Sequence, residues 1–271
     1  MSEKDNQINW DKIAEKFDMW LPQLAPVGDA LLSVLDVQRG NKVIDIASGT
    51  GEPAVTLAKK MNGSVEITGI DAADGMVRAA KKKVVKESLI NISFQCMPAE
   101  KLIFKDESFD RAVCRFGVML FNDPLQGLKE ICRVLKKDGQ FAIAVWGTPE
   151  TMPIMYWSYE VFKKRLPKEK HPPLAKITSL GAPGILEVLL SEAGFSKFII
   201  ERKSFNYQFD SFDEYWDIAE ASDILKQQFD ALPESERGKI RDEVRYFARD
   251  FIHSGGSLTI PHEYLLANGK K

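Results

Sequence analysis

An α/β chain folded around one doubly wound, mostly parallel sheet is the fold class that the sequence predicts, on three observations. The first is Val43-Ile44-Asp45-Ile46-Ala47-Ser48-Gly49-Thr50-Gly51-Glu52-Pro53-Ala54, an apolar run holding one acid, then two glycines spaced one apart, then a periodic Val55, Leu57, Ala58 segment. That order reads as strand, tight turn, helix. The second is the repetition of strand-like and helix-like stretches at crossover spacing from Lys42 onward, which calls for parallel pairing with right-handed connections. The third is the number of strand-like segments: residues 43–46, 65–71, 91–95, 110–114, 141–146, 197–209 and 258–267, a seven-stranded sheet in all.

Composition narrows the class further. The chain has 271 residues, 44% hydrophobic and 28% charged, enough for one α/β domain with insertions. A net charge of −2 and a pI near 6.0 supply no basic face for nucleic acid, so no nucleic-acid partner is expected. The run Lys81-Lys82-Lys83 reads as a solvated helix face. Met1 to Gln7 is polar, without signal-like or transit-like character, and no stretch approaches a membrane span, which makes a cytoplasmic protein the expectation. Three cysteines, Cys96, Cys114 and Cys132, lack paired spacing and are expected to be buried thiols, with no disulfide framework and no metal site.

In chain order, residues 8–20 and 23–35 carry helical spacing on either side of Leu21-Pro22. Lying before the first strand, residues 1–41 form a helical layer outside the sheet, a cover or a lid, with the aromatic Phe17 and Trp20 and the apolar Met19 as its surface. Residues 42–271 form the main domain. Gly49 and Gly51 let the chain turn and a ligand approach the backbone, Pro53 suits a first helical position, and the amides of that helix start are expected to face a ligand. The second strand ends on Asp71, and the helix from Asp74 to Lys86 follows it. The turn Lys136-Lys137-Asp138-Gly139 leads into the fifth strand. Beyond Trp146 regularity breaks at two insertions, about 148–182 with a helix near Ile154 to Arg165, and about 210–257; between them a helix from Pro183 to Ala193 ends at Gly194 and leads into the strand carrying Phe205, Tyr207 and Phe209. In such sheets ligands bind beyond the carboxyl ends of the strands, which puts Gly49, Gly51, Asp71, Ala99, Glu100, Arg115 and Trp146 on one rim.

The glycine turn alone leaves the ligand open. Gly49-Thr50-Gly51-Glu52-Pro53-Ala54 fits the dinucleotide pattern G-x-G-x-x-A with Asp71 downstream, so an NAD(P)-dependent oxidoreductase is one reading. The ordered set decides otherwise. Asp45-Ile46-Ala47-Ser48-Gly49-Thr50-Gly51 resembles the D/E-x-G-x-G-x-G motif of the class I S-adenosylmethionine-dependent methyltransferases, with Ala47 in the first glycine position. Asp71 is similar to the acid that binds the ribose hydroxyls, Pro98-Ala99-Glu100 to the D-A-E beside adenine, Ser108-Phe109-Asp110 to the opening of the fourth strand, and Arg133-Val134-Leu135-Lys136-Lys137-Asp138-Gly139 to the R-x-L-K-P-G-G turn. The resemblance covers roughly Val43 to Trp146 and lies closest to the small-molecule enzymes of ubiquinone and menaquinone biosynthesis.

That resemblance implies a Rossmann-like sheet and S-adenosyl-L-methionine as cofactor. It implies Asp45, Ala47, Gly49, Gly51, Asp71, Ala72, Met76, Ala99, Glu100 and Arg115 as cofactor contacts, with Asp45 and Glu100 each open to a purely structural reading. Pro98 offers no side-chain acceptor for the adenine amino group, so backbone, Glu100 or packing against Ala72, Met76 and Met97 must hold the ring. Phe17, Trp20, Phe116, Trp146, Tyr156 and Trp157 are the candidates to line the pocket of a small, apolar or aromatic acceptor. No catalytic residue is assigned; a sulfonium donor is already activated and alignment with exclusion of water suffices. His171, His253 and His262 read as surface or packing residues, though an imidazole suits a hydroxyl acceptor. A protein that holds the cofactor without transferring its methyl group is the reading from another class.

Overall fold

The computed structural model describes residues 8–271, so the polar start Met1 to Gln7 lies outside the described residues. Seven strands form one sheet: β1 (Lys42–Ile46), β2 (Glu66–Asp71), β3 (Ile92–Cys96), β4 (Phe109–Arg115), β5 (Leu135–Trp146), β6 (Lys197–Phe209) and β7 (Leu258–Lys270), in the spatial order β3-β2-β1-β4-β5-β7-β6. β1 pairs in parallel with β2 on one side and β4 on the other, and β2–β3 and β4–β5 are parallel too. β7 runs antiparallel to both β5 and β6. The order reverses between β1 and β4, so the switch point opens beside the glycine turn that leaves β1.

The central strands are apolar on both faces because helices cover both, as parallel sheets require. In β1, Val43, Ile44 and Ile46 are fully buried, and Ile67 and Ile70 of β2 are at 1% exposure. The covering helices include α1 (Trp10–Phe17), α2 (Leu21–Val34), α3 (Ala54–Met61), α4 (Asp74–Lys86) and α5 (Pro124–Val134). Asn9 caps α1 by accepting the Lys12 N–H, and Asp123 caps α5 by accepting that of Gln126.

Several boundaries differ from those the sequence predicts. Strand pairing of β5 begins at Leu135 and runs through the expected turn at residues 136–139; Asp138 takes φ 61° and the pairing with β4 shifts between Phe109 and Arg111, so turn and strand overlap as an irregular bulge. Pro53 takes the cap position of α3, one residue before the first helical one. The lysine run is not wholly a solvated face: Lys82 pairs with Glu15 at 2.7 Å, and the half-buried Lys83 pairs with Asp18 at 2.8 Å, so both tie α4 to the N-terminal segment. Cys96 is exposed, whereas Cys114 and Cys132 are buried.

The first insertion contains α6 (Pro153–Lys163) and the single turn α7 (Leu174–Ile177); α8 (Ile185–Glu192) then leads to β6. The second contains α9 (Phe212–Ala221), α10 (Lys226–Asp230) and α11 (Ser235–Ala248). Arg165, just past α6, joins the insertions by pairing with Glu236 at 2.9 Å and with Glu243. Gln23 of α2 donates to the Gln208 carbonyl at 2.6 Å and accepts the Gln208 N–H at 2.9 Å, pinning the N-terminal layer to β6.

Candidate active site

The residues after β1 turn through a run of left-handed backbone. Ala47 has φ 54°, Gly49 φ 54° and Gly51 φ 108°. Glycine is free to adopt such angles, while alanine is strained there by roughly 1–2 kcal/mol. The two glycines serve different ends. A Cβ on Gly49 would meet nothing within 4 Å, so its backbone is open to the cavity, whereas one on Gly51 would meet Val55 at 3.1 Å and Phe94 at 3.2 Å. Gly51 is thus a packing glycine that lets α3 close on the sheet.

The acids at the strand ends are bound to this turn. Asp71 accepts the Gly49 N–H on Oδ2 and the Ala73 N–H on Oδ1, both at 2.9 Å. Burial raises its pKa, and those amide bonds oppose the shift. Each ionised carboxylate oxygen has two acceptor sites, so Asp71 keeps one on each oxygen for a vicinal diol. Asp45, at 1% exposure, lies under the turn: Oδ2 accepts the Ala54 N–H at 3.2 Å and Oδ1 has no partner among the described residues. Burial pushes its pKa up to about 8, against the pull of the nearby Arg115 guanidinium. The Glu52 carboxylate accepts the Thr56 N–H at 3.2 Å. Amides of the α3 start are therefore taken by Asp45 and Glu52, in place of the open ligand-facing donors expected from sequence.

One cavity of about 390 Å³ opens over this edge. Near the turn it is walled by Ala47, Ser48, Gly49, Asp71, Ala72 and Met76, and further along the rim by Pro98, Ala99, Glu100 and Arg115. Gly51 and Asp45 stand behind this wall, and Met97 is buried outside it. Glu100 holds its own loop, accepting the Asn122 N–H at 2.8 Å and the Asp123 N–H at 3.3 Å on Oε1. Arg115 donates to the Leu24 carbonyl at 3.4 Å, and burial lowers its pKa against the attraction of Asp45 and Glu52.

Beyond Arg115 the cavity turns aromatic. Phe116 stacks on Trp146 with ring centroids 3.5 Å apart and planes 9° from parallel. Phe116, like Ala47, adopts a left-handed φ, 61°, so backbone strain is held on both sides of the cavity. Trp20 packs edge-on to Tyr207 at 6.0 Å, its indole N–H lacking a partner among the described residues. The roof comes from distant segments: Phe17 and Trp20, then Pro172, Pro173 and Leu174, then Tyr215, Ile224 and Leu225. Tyr156 and Trp157 stand apart from this cavity. Tyr156 is 39% exposed, and Trp157 is buried against Phe251 at 5.5 Å, because α6 turns that face away from the rim.

Among the cavity residues that the sequence reading did not assign to the site, two stand out for their polar side chains at the far end of the sheet. Tyr207 and His262 come from β6 and β7, far along the chain from the glycine turn. His171 bonds to the Leu166 carbonyl at 2.9 Å and His253 is exposed, but His262 is only 1% exposed and forms part of the cavity wall. The signal was present in the alternation of β7, where Leu258, Ile260, His262, Tyr264 and Leu266 share a buried face with one polar member.

The sheet order, the glycine turn and the acid at the end of β2 define a class of fold, a Rossmann-like sheet with its cavity at the switch point. The profile of the ubiE/COQ5 methyltransferase family matches residues 12–171, more than half of the chain, and the chain belongs to that family. It is 39% identical to the ubiquinone/menaquinone biosynthesis C-methyltransferase UbiE of Geotalea daltonii over 46% of this chain and 54% of that protein. To the protein of the same name from Citrifermentans bemidjiense it is 35% identical over 62% of this chain and 75% of that one. The match thus spans about half the length of one relative and three quarters of the other. Among solved structures, the YcgJ protein of Bacillus subtilis superposes with a TM-score of 0.59 at 20% identity, covering 92% of this chain and 97% of that one, a likeness of fold.

Proposed function

We propose that the protein moves the methyl group of S-adenosylmethionine to a ring atom of a small aromatic acceptor of the hydroquinone type. The observation that carries this reading is the continuity of one cavity from the Gly49–Asp71 pair to the Phe116–Trp146 stack. The names of the relatives, C-methyltransferases of ubiquinone and menaquinone biosynthesis, support the acceptor class.

The residues present suit the cofactor. Asp71 has free acceptor sites for two ribose hydroxyls, Ala72, Met76, Pro98 and Ala99 form an apolar slot for a purine, and the buried Ser48 hydroxyl lacks a partner among the described residues. Arg115 and Glu52, with Asp45 behind them, suit the carboxylate and ammonium of an amino acid. When bound, the sulfonium supplies an activated methyl group. The protein's work is to seat the acceptor ring against Phe116 and Trp146 in line with that methyl group at roughly 3 Å, and to exclude water with the roof. Three free cysteines and the small negative charge agree with a cytoplasmic protein without nucleic-acid partners.

The test is turnover: with S-adenosylmethionine and 1,4-dihydroxynaphthalene under anaerobic conditions, S-adenosylhomocysteine should accumulate together with a C-methylated ring. By calorimetry, Asp71→Ala should weaken S-adenosylmethionine binding by about 1.5–3 kcal/mol, the value of hydrogen bonds to a charged group. Binding of NAD with none of S-adenosylmethionine would sink the reading.

A further inference from the structure

Of the buried titratable side chains that the seating of cofactor and ring leaves unused, His262 is the one imidazole among the described residues of the cavity wall. His262 stands in the cavity wall at 1% exposure; the Ile260 and Pro261 backbone lies beside its ring, but neither ring nitrogen forms a well-aligned hydrogen bond among the described residues. Aromatic rings enclose it: Tyr207 edge-on at 4.7 Å, Phe205 at 6.2 Å and Trp146 at 6.4 Å between centroids. A buried polar group without a partner destabilises a fold, and an apolar residue would continue the face that Ile260 and Tyr264 begin. The imidazole is thus better suited to a ligand than to the apo fold. Burial pushes its pKa down to about 3, so the ring is neutral, with one nitrogen donating and the other accepting.

His262 also stands at the right end of the cavity. It is in contact with Trp146, which stacks on Phe116, while Asp71 and Gly49 lie at the turn on the opposite side of Arg115. An aromatic acceptor lying along the Phe116–Trp146 stack would bring one edge of its ring toward β7. Resting on the function proposed above, we propose that His262 reads the acceptor, accepting a hydrogen bond from a ring hydroxyl and thereby fixing which ring atom faces the methyl donor. It is a specificity-determining residue. A hydroxyl that donates to a neutral imidazole also keeps more electron density on its ring, which favours attack on the methyl carbon.

Binding of two probes to the full chain, in the presence of saturating S-adenosylhomocysteine, tests the assignment. The wild-type protein should bind 1,4-dihydroxynaphthalene roughly tenfold more tightly than 1,4-dimethoxynaphthalene, whose ether oxygens cannot donate, a ratio in the range of one hydrogen bond. In His262→Phe the diol should lose about that factor while the diether stays within about twofold, and His262→Gln, with a side-chain acceptor restored, should regain part of the preference. Equal binding of both probes by the wild type, or an unchanged preference in His262→Phe, overturns the assignment. If the Phe variant does not fold, the wild-type preference and the Gln variant decide. Failure of the wild-type protein to bind S-adenosylhomocysteine overturns the proposed function, whatever the probes do.

Discussion

Asp45 illustrates how far burial controls chemistry at a single residue. Its folded pKa of about 8 stands far above the roughly 3.9 of an unfolded aspartate, chiefly because the carboxylate is taken out of water. Between those values the unfolded chain has released the proton and the folded protein has kept it. Stability present at low pH is therefore lost as pH rises from about 4 through about 8. Asparagine keeps an oxygen for the Ala54 N–H and cannot ionise. In urea unfolding of the ligand-free protein, Asp45→Asn should gain on the wild type by more than about 1 kcal/mol between pH 5 and pH 8, since each pH unit within the window is worth about 1.4 kcal/mol. Parallel stability curves for the two proteins would refute the buried-acid account. Asp71 escapes so strong an effect because two backbone amides hold its charged form.

Among the elements, α1 is held chiefly by one neighbour, α4. It lies across α4, where Ile13 and Ala14 pack on Ala73 and Met76 and the Asp11 carboxylate accepts the Gly75 N–H at 2.6 Å. The approach is close: a Cβ on Gly75 would lie 2.5 Å from the Asp11 carbonyl oxygen. Gly75→Ala should thus lift α1 from α4, an overpacking cost of about 1–3 kcal/mol. Hydrogen exchange of the amides in residues 10–17 should speed up severalfold while those of β1 and β4 keep their protection; unchanged exchange would mean that α1 is held elsewhere. Most elements were legible from the sequence because their signals are local. The glycine turn, the acid ending β2 and the apolar periods of α4 and α8 each sit within about a dozen residues. The start of β5 was not, because Leu135 joins the sheet through pairing with Phe109, a partner that no local pattern reveals.

Across the whole molecule, the strand-end edge of the cavity and its roof are built differently. The edge is strand ends held by sheet hydrogen bonds, whereas the roof joins three segments through side-chain pairs such as Arg165 with Glu236 and Glu243. Arg165→Met should lower stability measurably in urea unfolding, by no more than about 1 kcal/mol, because the ion pairs that it removes are partly exposed to solvent. Its functional effect should fall on kcat/KM for the acceptor, with S-adenosylhomocysteine affinity held within about twofold. An equal loss of both would mean that roof and edge form one unit. The sequence by itself determined the mostly parallel α/β core, the family and the placing of Gly49, Asp71 and Arg115 on one rim, because strand period, turn chemistry and acid spacing are carried by neighbours in the chain. Only the tertiary structure decided that Asp45 and Gly51 stand behind the cavity wall, that Tyr156 and Trp157 lie apart from it, and that Tyr207 and His262 belong to it. Those outcomes depend on which faces of α6, β6 and β7 meet across the sheet, and that is settled by packing between segments far apart in sequence.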